Sequence, residues 1–385
     1  MKIYKKAILP LHFKASGIYC GIKKSKKLDL SLFYSEIPAK AACQFTTNKI
    51  QAAPIIINQR YLKSNRDFQA VIVNSGNANC FNGPLGLRDA EDTTKSLAKV
   101  LKVKKESVLV CSTGIIGRRL PLLKIKKAIP ELIAGLSSPG IDEAKRAIMT
   151  TDTFAKEITV KLKVGKQIIT ICGIAKGAGM IAPNMACPEP SRGATMLCFI
   201  FTDARITQGA FNKALDISID NSFNCITIDG CMSTNDSIIA LANGAAENAL
   251  IDMENFNPFV KALNTVCLEL SKMIIRDAEG ATKFIQIKVD NAKSFQEAKK
   301  VALAIANSNL FKTAMYGQNP NFGRIVSSVG ASGIEVKEKD LKIKLSPLNK
   351  KQIFVSVSIN RGSASAIAYT SDLTPEYIKI NADYN

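Results

Sequence analysis

An apolar run, TMLCFIFTDA at 195–204, starts directly after a segment that cannot form a regular element. The preceding residues 175–193 carry Gly177, Gly179 and Pro183 within AKGAGMIAPNMA, followed by the two-proline sequence CPEPSRG. Glycine and proline interrupt helices and strands, whereas a short apolar run bounded by such residues is typical of a buried strand. The sequence therefore predicts that a core strand begins immediately after an irregular loop.

Other strand-like runs stop at small polar residues and glycine. QAVIV at 69–73 leads into NSGNAN, and SVLVC at 107–111 leads into STGIIG. Residues 157–174 predict a hairpin that turns at Gly165-Lys166. Turns of this kind, directly after a strand, can present backbone amides to a ligand.

Helical spacing alternates with these strands and predicts an α/β fold with a layered core. Apolar and basic residues recur at helical spacing over 120–135, where Pro130 is expected to break or kink the helix, and a second helix is predicted at 140–149. Further helices are predicted near 208–222, 256–275 and 294–309, and further strands at 283–289, 341–345, 353–358 and 364–369.

Composition argues against several classes of protein. The chain is 46% hydrophobic and 22% charged, close to the globular average, and it has no apolar run long enough to cross a membrane. The net charge is +20, but 41 of the 52 basic residues are lysines spread along the chain. Nucleic-acid-binding proteins more often concentrate arginine and aromatic residues on one face. We expect neither a nucleic acid nor a membrane as a partner, although a basic nucleic-acid-binding protein stays an alternative.

The cysteine and histidine content limits the available chemistry. None of the 10 cysteines forms C-x-x-C, and His12 is the only histidine, so no metal site is expected. Free thiols and the absence of a signal-peptide core predict a cytoplasmic protein. His12 lies outside any catalytic motif, so the base of an enzyme would be a lysine, a carboxylate or an α-amine. Asn235-Asp236-Ser237 matches a glycosylation sequon, which a cytoplasmic chain would not use.

Several separate motifs carry a family resemblance. AKGAGMIAPNMA at 175–186 and ATMLCFIFTDA at 194–204 closely resemble the bifunctional ornithine acetyltransferase / N-acetylglutamate synthase family of arginine biosynthesis. The agreement covers essentially the whole chain and includes SGIYCGIKKSKKLDLSLFYSEIPAKAACQFTTNKIQAAP (16–54), VNSGNAN (73–79), STGIIGRRLP (112–121), MTTDTFAK (149–156), SFNCITIDGCMSTNDS (222–237), EGATKF (279–284), NPNFGRI (319–325) and EYIKINADY (376–384).

The resemblance implies a self-processing acetyltransferase with helix–sheet–sheet–helix layers, related in architecture to N-terminal-nucleophile enzymes. The precursor would cut itself between Ala194 and Thr195, giving a first chain 1–194 and a second chain 195–385. Thr195 would then be the nucleophile, and its own α-amine, with a reference pKa of about 8, would be the base. The acetyl group would move from N-acetylornithine to Thr195 and then to glutamate. Acetyl-CoA is a further candidate donor, and an assembly of two first and two second chains is implied, with no metal or organic cofactor.

The resemblance also assigns roles to particular residues. Thr113 and Gly114 correspond to the oxyanion-stabilising pair, and they lie in a glycine-containing turn after a strand, where backbone donors could face a tetrahedral oxyanion. Lys176 corresponds to a substrate-binding lysine, and a cation there can hold a carboxylate. The other implied substrate contacts are Thr195 itself, Thr150 or its neighbour Thr151, Asn381, and Glu279, whose carboxylate could pair with the substrate amine.

The chain departs from the family pattern in three places. The family has N-M-A-T-M-L without interruption, whereas here eight residues, taken as 187–194 or as 186–193, precede Thr195. Because self-cleavage needs close alignment of the scissile carbonyl, we expect this insertion to make processing slow or incomplete. Asn319 stands where the family commonly has Asp, and the final Thr or Ser common in the family is missing after Asn385.

Two further alternatives remain open at this level. One is a self-processing aminopeptidase of similar architecture, against which EGATKF and the C-terminal INADY favour the transferase. The other is an unprocessed, inactive homologue, which the insertion would favour.

Overall fold

A computed structural model describes residues 1–185 and 196–383 of the chain. These residues fall into two units. Unit 1 comprises 1–177, 184–223 and 232–270, and unit 2 comprises 178–183, 224–231 and 271 onward. Each of the two predicted chains contributes residues to both units, and the cut itself stays a prediction.

Unit 1 is built on one large mixed sheet with the order β1-β6-β7-β8-β9-β3-β4-β5, in which β2 also pairs with β3. Its strands are β1 (Lys2–Tyr4), β2 (Phe13–Ile18), β3 (Leu30–Phe45), β4 (Phe68–Asn77), β5 (Val108–Ile115), β6 (Lys156–Val164), β7 (Gln167–Lys176), β8 (Leu197–Thr202) and β9 (Ser237–Ala242). Its helices are α1 (Ala53–Ser64), α2 (Gly83–Leu101), α3 (Leu122–Ala134), α4 (Ile141–Ala147), α5 (Gln208–Asp220) and most of α6 (Asn257–Arg276).

The long strand β3 belongs to both halves of this sheet. Residues 30–34 pair with β2 and β4, the register shifts between Tyr34 and Ala39, and residues 40–45 pair with β9. The ring of Phe33 then packs on Phe199 and Phe201 of β8, with centroids 5.2 and 5.1 Å apart. Because Phe33 and the β8 rings lie in different halves of the sheet, the two halves pack face to face.

Helices cover the sheet halves. Asn58 of α1 exchanges two hydrogen bonds with the backbone of Val110 in β5, at 2.8 and 2.9 Å. The side chains of Val266 and Leu270 on α6 lie so close to β7 that a Cβ at Gly173 would fall 2.5 and 2.9 Å from them. Unit 1 therefore has the predicted order of helix, sheet, sheet and helix, which confirms the α/β layered fold class.

Unit 2 is a smaller sheet with helices packed on it. The sheet has the order β11-β12-β10-β13, with β10 parallel to β12 and antiparallel to β13. Its core joins Ile285 and Ile287 of the sheet to Val301 and Ile305 of a helix. The elements are β10 (Phe284–Ala292), β11 (Lys342–Leu345), β12 (Gln352–Ser358), β13 (Ala364–Ser371), α7 (Phe295–Ala306), α8 (Asn309–Tyr316), α9 (Phe322–Ala331), α10 (Pro375–Ala382) and the end of α6.

Most of the predicted elements are present. The hairpin of β6 and β7 pairs Val164 with Gln167 across Gly165, whose φ is +62°. Helix α3 continues through Pro130 to Ala134 without a break, because Ile129 and Leu132 on either side are buried and hold the last turn against the core. A kink at Pro130, the other predicted outcome, stays a prediction. Among the described helices, none has the length and apolar character that a membrane crossing requires.

Candidate active site

The predicted nucleophile Thr195, its cleavage partner Ala194 and the insertion 187–194 lie outside the described residues. The description resumes at Met196, which is fully buried. The amide of Met196 donates to the carboxylate of Asp236, and its carbonyl accepts the amide of Ser237 at 3.0 Å. The first residue after the predicted nucleophile is therefore fixed to the segment 235–237.

The predicted oxyanion pair lies at the end of β5. Thr113 is buried, and Gly114 has a φ of +132°, which disfavours any side chain. A Cβ at Gly114 would also fall 2.4 Å from the carbonyl carbon of Gly76 and 2.5 Å from the amide nitrogen of Asn77, both in β4. Both residues therefore lie inside strand β5, not in a turn after the strand as the sequence predicted. Gly114 needs to be glycine because of its backbone conformation and because β5 approaches β4 so closely there.

Asn235 connects this end of β5 to the start of β8. Its side-chain amide donates to the carbonyl of Ala78 at 2.6 Å and to the carbonyl of Ser112 at 2.8 Å. Ser112 directly precedes the predicted oxyanion pair, and Asp236 directly follows Asn235. Asn235 lies within the family motif SFNCITIDGCMSTNDS, but its local sequence carries only the sequon pattern and gives no sign of this structural role.

Lys176 is the last residue of β7, and it is buried rather than solvated. Its Nζ donates to Thr150 Oγ1 at 2.7 Å and lies 3.8 Å from Asp152 Oδ2. Of the two threonines that the sequence offered, Thr150 is therefore the one whose hydroxyl contacts Lys176, while Thr151 is its half-buried neighbour.

Asp152 holds this region together. Its fully buried carboxylate accepts from Lys156 Nζ at 2.6 Å and from the amides of Gly177 and Thr150 at 2.6 and 2.9 Å. Burial alone would raise the pKa of Asp152, but the charges of Lys176 and Lys156 outweigh it and hold that pKa well below its usual range. Asp152 is therefore an anion at neutral pH.

A third lysine adds positive charge. Lys23 Nζ donates to the carbonyls of Leu28 and Met149, both at 2.7 Å. Burial lowers the pKa of Lys23 to about 8, assisted by the charge of Lys176 and opposed by that of Asp29. The lysine cluster consists of Lys23, Lys156, Lys176 and Asp152. Three lysines face two carboxylates, Asp152 and the neighbouring Asp29, so an excess of positive charge remains that favours a bound anion.

Glu279 and Asn381 are brought together in unit 2. Asn381, on α10, donates from Nδ2 to Glu279 Oε2 at 2.9 Å, and the amide of Glu279 donates to the carbonyl of Ala178 at 2.9 Å. A Cβ at Gly179 would lie 2.1 Å from Glu279 Oε2. Glycine at this position therefore lets the carboxylate rest directly on the loop 178–183.

Asp229 holds the same loop from another side. Its carboxylate accepts from the amides of Met180 and Ile181 at 2.6 and 3.0 Å and from the hydroxyl of Tyr377 at 3.2 Å. Burial and the charge of Asp229 raise the pKa of the Tyr377 phenol above its ordinary value. Asp229 and Tyr377 both lie within family motifs, at 222–237 and 376–384, but the resemblance assigns no role to either residue.

Two other predictions concern single positions and metals. Asn319 precedes α9 in unit 2, where its amide donates to the carbonyl of Ala314 at 2.9 Å. Within 1–185 and 196–383, no group of three or more His, Cys, Asp or Glu side chains is arranged to hold a metal ion.

The fold and these charged groups define an α/β protein with a buried lysine cluster in one unit and the Glu279 carboxylate in the other. The chain belongs to the ArgJ family, whose model matches residues 14–349. The arginine biosynthesis bifunctional protein ArgJ of Caldanaerobacter subterraneus subsp. tengcongensis is 42% identical, over 98% of this chain and 97% of that protein. Its namesake from Geobacter sulfurreducens is also 42% identical, over 97% and 98%.

Solved structures give a further comparison. A chain of the ornithine acetyltransferase complexed with ornithine from Mycobacterium tuberculosis is 37% identical and covers 48% of this chain and 99% of its own length, with a TM-score of 0.44.

Proposed function

We propose that this protein is a self-processing acetyltransferase that moves the acetyl group of N2-acetylornithine to glutamate. After cleavage between Ala194 and Thr195, the Thr195 oxygen attacks the acetyl carbonyl while its proton passes to the α-amine of the same residue. The carbon–nitrogen bond then breaks, and ornithine leaves with that proton. The glutamate amine next attacks the acetyl ester, which releases N-acetylglutamate and restores the Thr195 hydroxyl. Acetyl-CoA is a second donor in this proposal.

The observation that carries the proposal is the link made by residues 235–237. This short segment bonds to Met196, the residue that follows Thr195, and to Ser112, the residue that precedes Thr113 and Gly114. Covalent catalysis needs its nucleophile and its oxyanion donors in one fixed geometry. A segment that anchors the neighbours of both groups supports their use in one reaction.

The charged groups support an amino-acid substrate. The cationic lysine cluster suits the α-carboxylate shared by N-acetylornithine and glutamate, with Lys176 and Thr150 as its contacts. In unit 2, the Glu279 carboxylate, oriented by Asn381, suits an ammonium group. Family membership and the names of the curated relatives support the same assignment.

The proposal includes the working state of the enzyme. The protein supplies nucleophile, base and oxyanion donors, so the reaction needs no metal or organic cofactor. We place it in the cytoplasm as a heterotetramer of two first chains and two second chains, acting on small molecules and not on nucleic acid or membranes.

Intact-mass measurement and N-terminal sequencing of the purified protein test the cleavage. The expected result is two chains, 1–194 and 195–385, together with residual precursor because of the insertion. Acetyl transfer from N-acetylornithine to glutamate is then followed with and without a chelator. A new terminus elsewhere, or hydrolysis of amide substrates without transfer to glutamate, would instead favour the aminopeptidase alternative.

Variants of the nucleophile complete the test. Thr195→Ala should abolish cleavage and transfer together, because it removes the hydroxyl that both reactions use. Thr195→Ser should retain part of each, since serine keeps a hydroxyl. Transfer at the unsubstituted rate in the Thr195→Ala chain would overturn the covalent mechanism.

A further inference from the structure

We infer that Asn235 is a positioning residue, which sets the distance between Thr113–Gly114, at the end of β5, and the start of β8 for self-cleavage and acetyl transfer. The inference rests on the proposed function. It assigns to Asn235 a task that neither the nucleophile nor the oxyanion pair performs. The carboxylate of the next residue, Asp236, completes the link by holding the amide of Met196.

The hydrogen bonds of Asn235 are directed at backbone on two separate segments. One N–H reaches the carbonyl of Ala78, just after β4, and the other reaches the carbonyl of Ser112 within β5. The side-chain oxygen accepts from the hydroxyl of Thr234 at 2.7 Å, which fixes the orientation of the amide. Every polar atom of this side chain is thereby used in one arrangement.

The segment that carries Asn235 is itself anchored. Thr46, just after β3, donates its amide to the carbonyl of Asp236 at 2.9 Å and its hydroxyl to the carbonyl of Ser233 at 2.8 Å. Asn235 is 2% exposed, and Asp236 and Met196 are fully buried. A buried amide whose polar atoms are all bonded in a packed core, as those of Asn235 are, has little freedom to move. A shift of the Ser112 carbonyl would therefore move the end of β5, with Thr113 and Gly114, relative to Met196.

The isosteric change Asn235→Asp isolates this contribution. The carboxylate occupies the same volume but has no N–H to offer, so two carbonyls that were hydrogen-bonded would face a negative charge. Thr113 and Gly114, at the end of β5, should then move away from the start of β8. Because misplacement by about 1 Å can cost about 100-fold in rate, we expect cleavage to slow by about that factor.

A second buried asparagine provides a matched control. Asn248 is 1% exposed, its side-chain amide donates to the carbonyls of Arg205 and Ala249, and it lies in the same unit. Asn248→Asp therefore also removes two hydrogen bonds from a side-chain amide to backbone carbonyls, but at a place that does not hold the end of β5. It should lower the melting temperature to a similar extent while cleavage stays near the rate of the unsubstituted chain.

The experiment follows the precursor fraction by intact mass, over time, in the unsubstituted, Asn235→Asp and Asn248→Asp chains. Once Asn235→Asp is fully cut, kcat for transfer should fall while KM for N-acetylornithine changes less than threefold, since the substrate-binding side chains are untouched. Equal cleavage rates in the unsubstituted and Asn235→Asp chains, or equal slowing in both variants, would overturn the inference alone. If the unsubstituted chain is never cut, the proposed function is overturned and the inference falls with it.

Discussion

The lysine cluster of unit 1 and the Glu279 site of unit 2 hold their charges in opposite ways. In the cluster, Asp152 and Lys156 are fully buried and bonded to each other, so their charges are part of the core. In unit 2, Glu279 is half-buried, its partner Asn381 is exposed, and the carboxylate rests on a glycine loop. The difference teaches that the buried Asp152–Lys156 charges should be coupled to stability, whereas the Glu279 charge should be coupled to binding.

The largest expected effect follows from breaking the buried Lys156–Asp152 pair of unit 1. Lys156→Met leaves the Asp152 carboxylate in the core without its closest cation, which should lower the free energy of unfolding by about 3–5 kcal/mol. Lys105→Met is the control, because Lys105 pairs with Glu91 at the surface and should contribute less than about 1 kcal/mol. Chemical denaturation measures both, and similar losses in the two variants would contradict the comparison.

A buried lysine also exists in unit 2, and its pH dependence sharpens the comparison. Lys312 of α8 donates to the carbonyl of Ile228, and burial lowers its pKa from 10.5 to about 8. The unfolded chain therefore binds more protons than the folded chain between these values, so stability from this group rises with pH from about 8 to 10.5. Below that window both states are protonated and the full cost of burying the cation is present.

The size of this effect is the difference between two pH profiles of the free energy of unfolding. Subtracting the pH profile of Lys312→Met from that of the unsubstituted chain should leave a rise of up to about 3 kcal/mol. Denaturation at pH values from 7 to 11 supplies both profiles. A flat difference would mean that Lys312 has an ordinary pKa in the folded protein and that buried charge is not costly in unit 2.

The smallest expected effect concerns binding in unit 2. Gly179→Ala places a methyl group on the Glu279 carboxylate and should displace it, raising KM for N-acetylornithine by about tenfold with little loss of stability. Gly330→Ala is the control, since its added Cβ would meet no atom within 4 Å. Steady-state kinetics and melting curves separate the outcomes. A large fall in stability with unchanged KM would reverse the assignment of this region to binding.

The sequence predicted the elements whose signals are local. The hairpin at Gly165 and the buried strand after the 175–193 segment follow from turn chemistry and apolar runs. Helices α1 and α2 were not predicted from the sequence.

Residues of the candidate site could be predicted only at the positions to which the family resemblance assigns a role. The structure places Lys176 against Thr150 and Glu279 against Asn381, and their roles as substrate contacts stay predictions. Asp152 and Asn235 gave no local signal, because a polar residue in a loop is ordinary until the tertiary structure buries it. Thr195 lies outside the described residues, so its role stays a prediction.

The strand order of unit 1 has a consequence for how the protein is made. Strand β7 of the predicted first chain pairs with β8 of the second, and β3 of the first pairs with β9 of the second. A precursor cut between Ala194 and Thr195 would stay joined through these two ladders. Unfolding such a nicked molecule would separate its parts, and refolding would become a second-order reaction that slows on dilution. The uncut chain folds as a single molecule at a rate independent of concentration, so the Ala194–Thr195 peptide bond would serve as a tether during assembly before it is cut.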